Sequence, residues 1–137
     1  MPPTSRTLTL SVVHGLFAIV KLSPESAIPD WATGNEFFSV TRNAEELSLV
    51  VSESNLPSSL DASRGWRLFK VHGPFAFTEV GVVAALASPL ARIGVGIFVI
   101  STFDTDYLLI QQEEIPAAIE ALEHAGHRIA NLELLTS

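Results

Sequence analysis

The chain has 137 residues, of which 47% are apolar, so it is long enough to form one compact domain or two very small ones. Eight basic residues against fifteen acidic ones give a formal net charge of −7, and the basic residues form no cluster, which disfavours a nucleic-acid partner. Cysteine is absent, which excludes disulfides and thiolate metal sites and favours a cytoplasmic protein. No apolar run reaches the length that spans a bilayer, so no membrane segment is expected.

The first half of the chain is predicted to consist mainly of strands. After a loose terminus over residues 1–6, alternating polar and apolar residues predict strands at 7–13 and 16–22, separated by a turn at His14 and Gly15. The other predicted elements of this half are a short helix opened by Ser23 and Pro24 and ended by Pro29, a hairpin with strands at 36–42 and 47–52, and a polar, serine-rich connection at 55–65.

The second half is predicted to alternate strands with helices. Pro89 lies inside the first of these helices, where proline removes a hydrogen bond, so a kink or break is expected near Ser88. The order of elements is the split βαβ, or ferredoxin-like, arrangement, an α+β fold with an antiparallel sheet and both helices on one face. The predicted elements are a strand at 66–72, a helix at 78–93 capped by Thr78, two strands within 94–111, a helix at 113–125 ended by Gly126, and a strand at 127–135.

The two halves of the chain resemble each other in sequence. Segments 49–51 and 55–60 match segments 108–110 and 114–119, which lie 59 residues further along the chain. Segments 38–41 and 100–103 also match, but only if a gap of three residues is allowed. Short apolar strands can match by chance, but a Leu-Pro and an Ile-Pro pair at matched positions favour a duplication. We therefore expect an abbreviated N-terminal domain over residues 1–63 and a C-terminal domain over 64–137.

Residues 101–106 connect the two central strands of the second half and combine hydroxyls, carboxylates and an aromatic ring. Asp104 and Asp106 also suit an ordinary turn, because aspartate bonds nearby backbone, so that interpretation stays open. In a ferredoxin-like fold the start of the first helix, with Glu79, lies close to this connection. Free N–H groups at residues 78–81 would accept a carboxylate, and the Glu79 and Asp106 carboxylates would accept an ammonium or guanidinium group. The pattern therefore predicts a site for the two ends of an amino acid.

Other chemistry is weakly indicated. His124 and His127 lie on either side of Gly126 and share no helical face, so we expect surface histidines. Neither a serine-nucleophile elbow nor a metal-binding histidine helix occurs in the sequence, so we expect no enzyme activity, no metal and no cofactor.

The sequence around the predicted site resembles a known family. Residues 77–84, Pro89-Leu90, Ile100 to Phe103 and Asp106 are similar to the ACT-domain family, in particular to small tandem-ACT bacterial proteins related to the CASTOR arginine sensors and to aspartokinase regulatory domains. The resemblance extends over residues 36–126 and implies a regulatory module that holds an amino acid at an interface between ACT domains. The ligand-binding residues that it implies are Ala76, Phe77, Glu79, Val80, Ser101, Thr102, Phe103 and Asp106.

The resemblance also bears on the ligand and the assembly. Arginine or another cationic amino acid is the ligand that it implies, although Ala76 and Thr78 occupy positions where the sensors have glycine and aspartate. Because the sensors are about twice this length, a homodimer would have to supply the second half of the interface. Two alternatives stay open: an enzyme that holds Mg²⁺ through Glu79, Asp104 and Asp106, and a structural dimerisation module without a ligand.

Overall fold

The computed structural model describes residues 6–136, which form an α+β protein. None of the helices in this part of the chain is long and apolar enough to cross a membrane. The strands and helices are β1 (Thr9–Leu22), β2 (Ser39–Arg42), β3 (Leu47–Ser52), β4 (Ser63–Val71), α1 (Val82–Arg92), β5 (Phe98–Ser101), β6 (Asp106–Gln111), α2 (Ile115–His124) and β7 (Arg128–Ala130).

The described chain divides into two compact units, which differ in one respect from the domains expected from the sequence. The strand unit is Gly15–Trp66, and the helical unit combines residues 6–14 with residues 67–136. The first strand therefore contributes residues to both units, whereas a division into 1–63 and 64–137 assigns it wholly to the N-terminal domain. The loose terminus expected over residues 1–6 lies outside the described residues, apart from Arg6.

The helical unit has the ferredoxin-like order β4, α1, β5, β6, α2, β7, which the sequence predicts. Its strands lie in the order β7, β1, β4, β6, β5, so that β1 is inserted between β4 and β7. The inserted strand runs parallel to β7, whereas β5 and β6 pair antiparallel. Within the helical unit, the N-terminal strand thus lies between two strands, β4 and β7, that follow much later in the chain.

The core of the helical unit follows from the spacing of its apolar residues. Helix α1 buries Val82, Leu86 and Leu90, which are four residues apart. Helix α2 buries Ile115, Ala118 and Leu122, which are three and four residues apart, and both spacings place side chains on one helical face. The two helices pack against each other. The strands add residues that alternate along each strand, namely Leu10, Val12, Phe69, Val71, Leu108 and Ile110.

The strand unit has a separate and smaller core. Strand β3 lies between β1 and β2 and pairs antiparallel with both. Its residue Leu47 is fully buried, with an exposed fraction of 0%. Within the described residues of this unit there is no α-helix, only 3₁₀ turns at Asp30–Ala32 and Glu53–Asn55, so the unit is the abbreviated copy. The core residues are Ala18, Val20, Ala32, Leu47, Leu49, Val51 and Leu56.

The internal repeat is expressed in the structure. Adding 59 to the bounds of β2 and β3 gives the bounds of β5 and β6, and the 3₁₀ turns that follow, Glu53–Asn55 and Gln112–Glu114, match in the same way. The cross-strand register also agrees, because Ser39 pairs with Val50 as Phe98 pairs with Leu109. The duplication is therefore supported, and the three-residue gap that we expected for the upstream strands is wrong, because both hairpins align without one.

Several predictions for the first half are wrong. The turn at His14 and Gly15 does not form, because β1 continues through both residues; Gly15 has φ of +96°, which glycine adopts within a strand without steric cost. Ser23 and Pro24 begin a turn, not a helix, and the 3₁₀ turn Asp30–Ala32 begins after Pro29 instead. Strand β2 is also shorter than the predicted 36–42.

The last predicted strand is too long as well. The prediction covered residues 127–135, but β7 ends at Ala130 and a 3₁₀ helix, Leu132–Thr136, follows it. The helix α2 and its end at Gly126, which has φ of +97°, agree with the prediction to within a few residues.

Helix α1 begins four residues later than predicted. Its N-cap is Gly81, which has φ of +83°, so the prediction of Thr78 as the N-cap is wrong. The break expected near Ser88 is wrong, since the helix continues through Pro89 to Arg92. Proline has no N–H group, so the carbonyl of Ala85 has no partner one helical turn later.

His127 supplies the partner that Pro89 cannot. Its Nε2 donates to the Ala85 carbonyl at 2.9 Å, and its Nδ1 accepts from the Leu8 N–H at 3.1 Å. These two bonds fix the tautomer with the proton on Nε2. With an exposed fraction of 4%, His127 is buried, so the expectation of a surface histidine is wrong for this residue. It ties α1 to the segment that leads into β1.

Candidate functional site

An open cleft of about 330 Å³ lies in the helical unit, at the start of α1. Three pieces of chain form it: the loop that precedes α1, the first turn of α1 itself, and the connection between β5 and β6. The lining residues are 75–77, 79, 81–84 and 101–106.

Seven of the eight residues predicted for the site line this cleft: Ala76, Phe77, Glu79, Ser101, Thr102, Phe103 and Asp106. The eighth, Val80, is not among the lining residues, and its side chain is exposed. Its carbonyl accepts a hydrogen bond from Arg6 Nη1 at 3.4 Å. The sequence therefore identified two of the segments that meet at the cleft, but the helix turn at 82–84 was missed, because the helix was expected to begin earlier.

The connection between β5 and β6 is a closed four-residue turn. Thr102 N–H donates to the Thr105 carbonyl at 2.8 Å, and the Thr102 hydroxyl donates to the same carbonyl at 3.0 Å. Across the end of the hairpin, the Ser101 hydroxyl donates to Asp106 Oδ1 at 2.6 Å. A neutral donor thus orients the Asp106 carboxylate at the cleft, and this contact does not neutralise its negative charge.

Two hydrogen bonds fix this turn to the rest of the helical unit. The buried Thr105 hydroxyl donates to the Val71 carbonyl at 2.6 Å, and Phe75 N–H donates to the Asp104 carbonyl at 2.8 Å. Sequence reasoning missed the role of Thr105, which no local spacing reveals because its partner lies 34 residues away. These bonds hold the two loops of the cleft at a defined separation.

Glu79 lies in the loop before α1 and not in the first helical turn, where we expected it. Its Oε1 accepts from Ala76 N–H at 3.0 Å, and its Oε2 accepts from Arg6 Nη2 at 2.8 Å. The hydrogen bond from Arg6 and then that from the Ala76 N–H lower the pKa of the Glu79 carboxyl below its ordinary value. Arg6 was missed by the sequence reasoning, which assigned it to a loose terminus.

The backbone donors expected at residues 78–81 are shifted along the chain. Glu79 N–H already donates to the Ala76 carbonyl at 3.0 Å, within the loop. The intrahelical bonds of α1 begin with Ala85 N–H, which donates to the Gly81 carbonyl at 2.9 Å. The N–H groups without an intrahelical acceptor are therefore those of residues 82–84, which line the cleft.

The rim of the cleft is aromatic and exposed. The rings of Phe77 and Phe103 pack edge to face with their centroids 4.8 Å apart, although 76% and 78% of these residues is exposed. Val80 in the same loop is 82% exposed. Exposed apolar side chains that cluster beside an open cleft are typical of a surface that a ligand or a partner covers.

The carboxylates near the cleft do not form a recognisable metal centre. Within residues 6–136, no group of three or more histidine, aspartate or glutamate side chains is arranged so that it could hold a metal ion. The set expected for a magnesium enzyme was Glu79, Asp104 and Asp106, and the Glu79 carboxylate is already occupied by Arg6 and Ala76.

The fold, the position of the cleft and the sequence together define the class of protein. A sequence model of the ACT domain matches residues 61–124, and a second model, of an N-terminal domain, matches residues 15–59. Residues 61–124 of the chain therefore belong to the ACT-domain family.

Within this family the chain is related to the arginine sensors. It is 34% identical over 140 residues to the cytosolic arginine sensor for mTORC1 subunit 1 of Rattus norvegicus, and 32% identical over 96 residues to the sensor of the same name in Homo sapiens. The match to the rat protein includes 95% of this chain but only 42% of the relative, so the chain spans less than half of that relative's length. For the human protein the shares are 69% and 29%.

Solved structures agree with this assignment. A protein from Agrobacterium tumefaciens is 41% identical, with a TM-score of 0.85, and the match covers 90% of this chain and 92% of that one. The regulatory subunit of aspartate kinase from Thermus thermophilus is 12% identical with a TM-score of 0.57, covering 84% and 94% of the two chains. The second likeness shows the fold alone, which this chain shares with an aspartate kinase regulatory subunit.

Proposed function

We propose that this protein is a small regulatory module that binds a free amino acid in the cleft at the start of α1 and does not transform it. The observation that carries the proposal is the placement of two opposite chemistries on one cleft of about 330 Å³, a volume typical of small-molecule sites. The first turn of α1 and Asp106, at the start of β6, both line this cleft.

Each end of an amino acid has a suitable partner in this arrangement. The N–H groups of residues 82–84 and the positive end of the α1 dipole favour the α-carboxylate. The Asp106 carboxylate favours an ammonium or guanidinium group and is held in place by the Ser101 hydroxyl. Ala76, Phe77, Glu79, Thr102 and Phe103 complete the lining, with Val80 beside it.

The relatives support a sensory and not a catalytic role. The mammalian relatives are named as cytosolic arginine sensors, and the structural neighbours include aspartate kinase regulatory subunits. Arginine, or another amino acid with a cationic side chain, is therefore the first ligand to test. The same relatives support a cytoplasmic location for this protein.

We also propose that the protein acts as a homodimer that completes the cleft. One chain leaves Phe77 and Phe103 exposed at the rim. A second copy placed over this rim would bury both rings and exclude water from the polar contacts below them. Sedimentation equilibrium tests this part of the proposal: a dimer is expected for the natural chain, and a monomer for Phe77→Asp with Phe103→Asp.

Calorimetric titration with each of the twenty amino acids tests the function itself. We expect one amino acid, or a chemically related group, to bind the natural chain with a stoichiometry of about one per chain or one per dimer. The variant Asp106→Leu is the matched control, since it removes the carboxylate and places leucine where the first hairpin has Leu47. Folded protein that binds none of the twenty would contradict the proposal.

A further inference from the structure

We propose that Arg6 is a specificity-determining residue, which sets how strongly the cleft discriminates a cationic amino acid from a neutral one of the same shape. The inference rests on the proposed function and adds to it a residue outside the lining. Arg6 precedes β1 and belongs to the helical unit, so it and the cleft are parts of the same compact unit.

The guanidinium group of Arg6 makes three contacts with the loop that precedes α1. It forms an ion pair with Glu79 at 2.8 Å, donates to the Val80 carbonyl at 3.4 Å, and lies 5.6 Å from the centre of the Phe75 ring. The exposed fractions of the Arg6 and Glu79 side chains are 36% and 34%. A single cation therefore contacts three successive parts of the loop, at a position where solvent screens it only in part.

Arg6 is not among the residues that line the cleft, whereas Glu79 is. The cation therefore approaches the carboxylate from outside the cleft and cancels part of its charge without filling the space that a ligand would occupy. Glu79 is also bonded to Ala76 N–H, so both of its oxygens already have a donor.

The charges around the cleft are consequently unequal. Of the three carboxylates that line it, Glu79 is paired with Arg6, and Asp104 also faces a smaller adjoining pocket with Lys70. Asp106 is bonded to the neutral Ser101 hydroxyl. The negative charge available to a ligand is therefore concentrated at Asp104 and Asp106, and Arg6 is the reason that the Glu79 side contributes little.

This distribution predicts a specific effect of removing the Arg6 charge. Arg6→Gln leaves Glu79 uncompensated, which strengthens the attraction of the cleft for a cationic side chain and hardly changes its affinity for a neutral one. L-Arginine and L-citrulline are suitable probes, because they have nearly the same shape and differ in charge. From the typical strength of an exposed ion pair, we expect the ratio of the two affinities to rise by about two- to fivefold.

Titration calorimetry of four variants with both probes tests the inference. Arg6→Lys keeps the charge and should keep the natural ratio, and Arg92→Gln removes the same charge at the other end of α1 and should also keep it. Glu79→Gln should lower the ratio, because it removes an anion and leaves the Arg6 charge unpaired. In that background Arg6→Gln should raise the ratio again, because the effects of the two charges on the ligand add. Circular dichroism checks that every variant is folded.

The opposite results are equally clear. If Arg6→Gln weakens both probes by the same factor, or leaves their ratio unchanged, Arg6 only supports the loop and the inference is wrong. A rise of the same size in Arg92→Gln would also overturn it, because the effect would then follow from net charge alone. The proposed function fails separately, if neither these probes nor any other amino acid binds the natural chain.

Discussion

The two hairpins of this protein share one backbone plan and differ in the chemistry at their ends. In the first hairpin, between β2 and β3, Asn43 N–H donates to the Glu46 carbonyl at 3.0 Å; in the second, Thr102 N–H donates to the Thr105 carbonyl at 2.8 Å. Both connections contain four residues, and the strands pair in the same register. The turn itself therefore does not create a site.

The residues that pair beside each turn make the difference. Arg42 pairs with Leu47 in the first hairpin, and Ser101 pairs with Asp106 at the matching positions of the second. Leu47 is fully buried in the core of the strand unit, and Arg42 donates to the backbone carbonyls of Pro24 and Ser26. The first copy thus uses these positions for stability, and the second leaves a carboxylate and a hydroxyl at a cleft.

The largest effect on stability is expected when the first hairpin receives the residue type that the second hairpin has at the matching position. Leu47→Asp places a carboxylate in a fully buried core position without a partner, so we expect the free energy of unfolding to fall by about 4 kcal/mol. Urea denaturation measures this change, with Leu47→Met as the control that keeps volume and polarity and should cost less than about 1.5 kcal/mol. Similar stabilities of the two variants would show that the first hairpin is not a core element.

The helical unit contains two α-helices, and the described part of the strand unit contains none. A substitution of His127 tests how strongly the stability of the helical unit depends on one buried side chain. His127→Ala removes both backbone hydrogen bonds of the imidazole and leaves a cavity, so we expect a loss of about 3 kcal/mol in the free energy of unfolding. The exposed His124→Ala is the matched control and should change stability by less than about 0.5 kcal/mol. A loss below about 1 kcal/mol for His127→Ala would mean that water replaces both bonds.

The reverse substitution, which gives the second hairpin the residue of the first, should weaken ligand binding and hardly change stability. Asp106→Leu removes the charged partner of the ligand, which costs about 2 kcal/mol of binding, or roughly a thirtyfold loss of affinity. Because Asp106 is only half-buried, the unfolding free energy should change by less than about 1 kcal/mol. Unchanged affinity in calorimetry would remove Asp106 from the site.

The smallest effect concerns the acid dependence of the cleft loop. The pKa of Glu79 is lowered from an ordinary value of 4.5, chiefly by Arg6, so the ionised group stabilises the native state above that pH. The stabilisation should be lost as the pH falls through the lowered pKa, and Glu79→Gln should lack this part of the acid dependence. Thermal unfolding of both proteins between about pH 6 and about pH 3 measures the difference. Parallel curves would contradict the assignment.

Much of this architecture could be predicted from local sequence, because periodicity specifies which residues are buried on each element. The order β4, α1, β5, β6, α2, β7 and the hairpin strand β3 follow from such patterns, whereas most of the cleft lining was implied by the resemblance to ACT domains. The insertion of β1 beside β7 could not be predicted, since it depends on pairing between Thr9 and Arg128, at opposite ends of the chain.

The contacts that the sequence did not predict also join residues that are far apart in the chain. Arg6 meets Glu79 across 73 residues, and His127 meets Leu8 across 119, so no window of local sequence contains both partners. The continuous helix through Pro89 was missed because the acceptor left free by proline is satisfied by a histidine from the other end of the unit. Local patterns predict elements, whereas these long-range bonds decide where the elements end.

Chemical-shift mapping of the ¹⁵N-labelled protein tests the central claim most directly, because both hairpins are observed in one experiment. On titration with L-arginine, and then with the other amino acids, we expect saturable shifts in the amides of residues 82–84 and 101–106. The matching amides of residues 42–47 should remain unmoved. Shifts of equal size in both hairpins, or no saturable shift with any amino acid, would contradict the account.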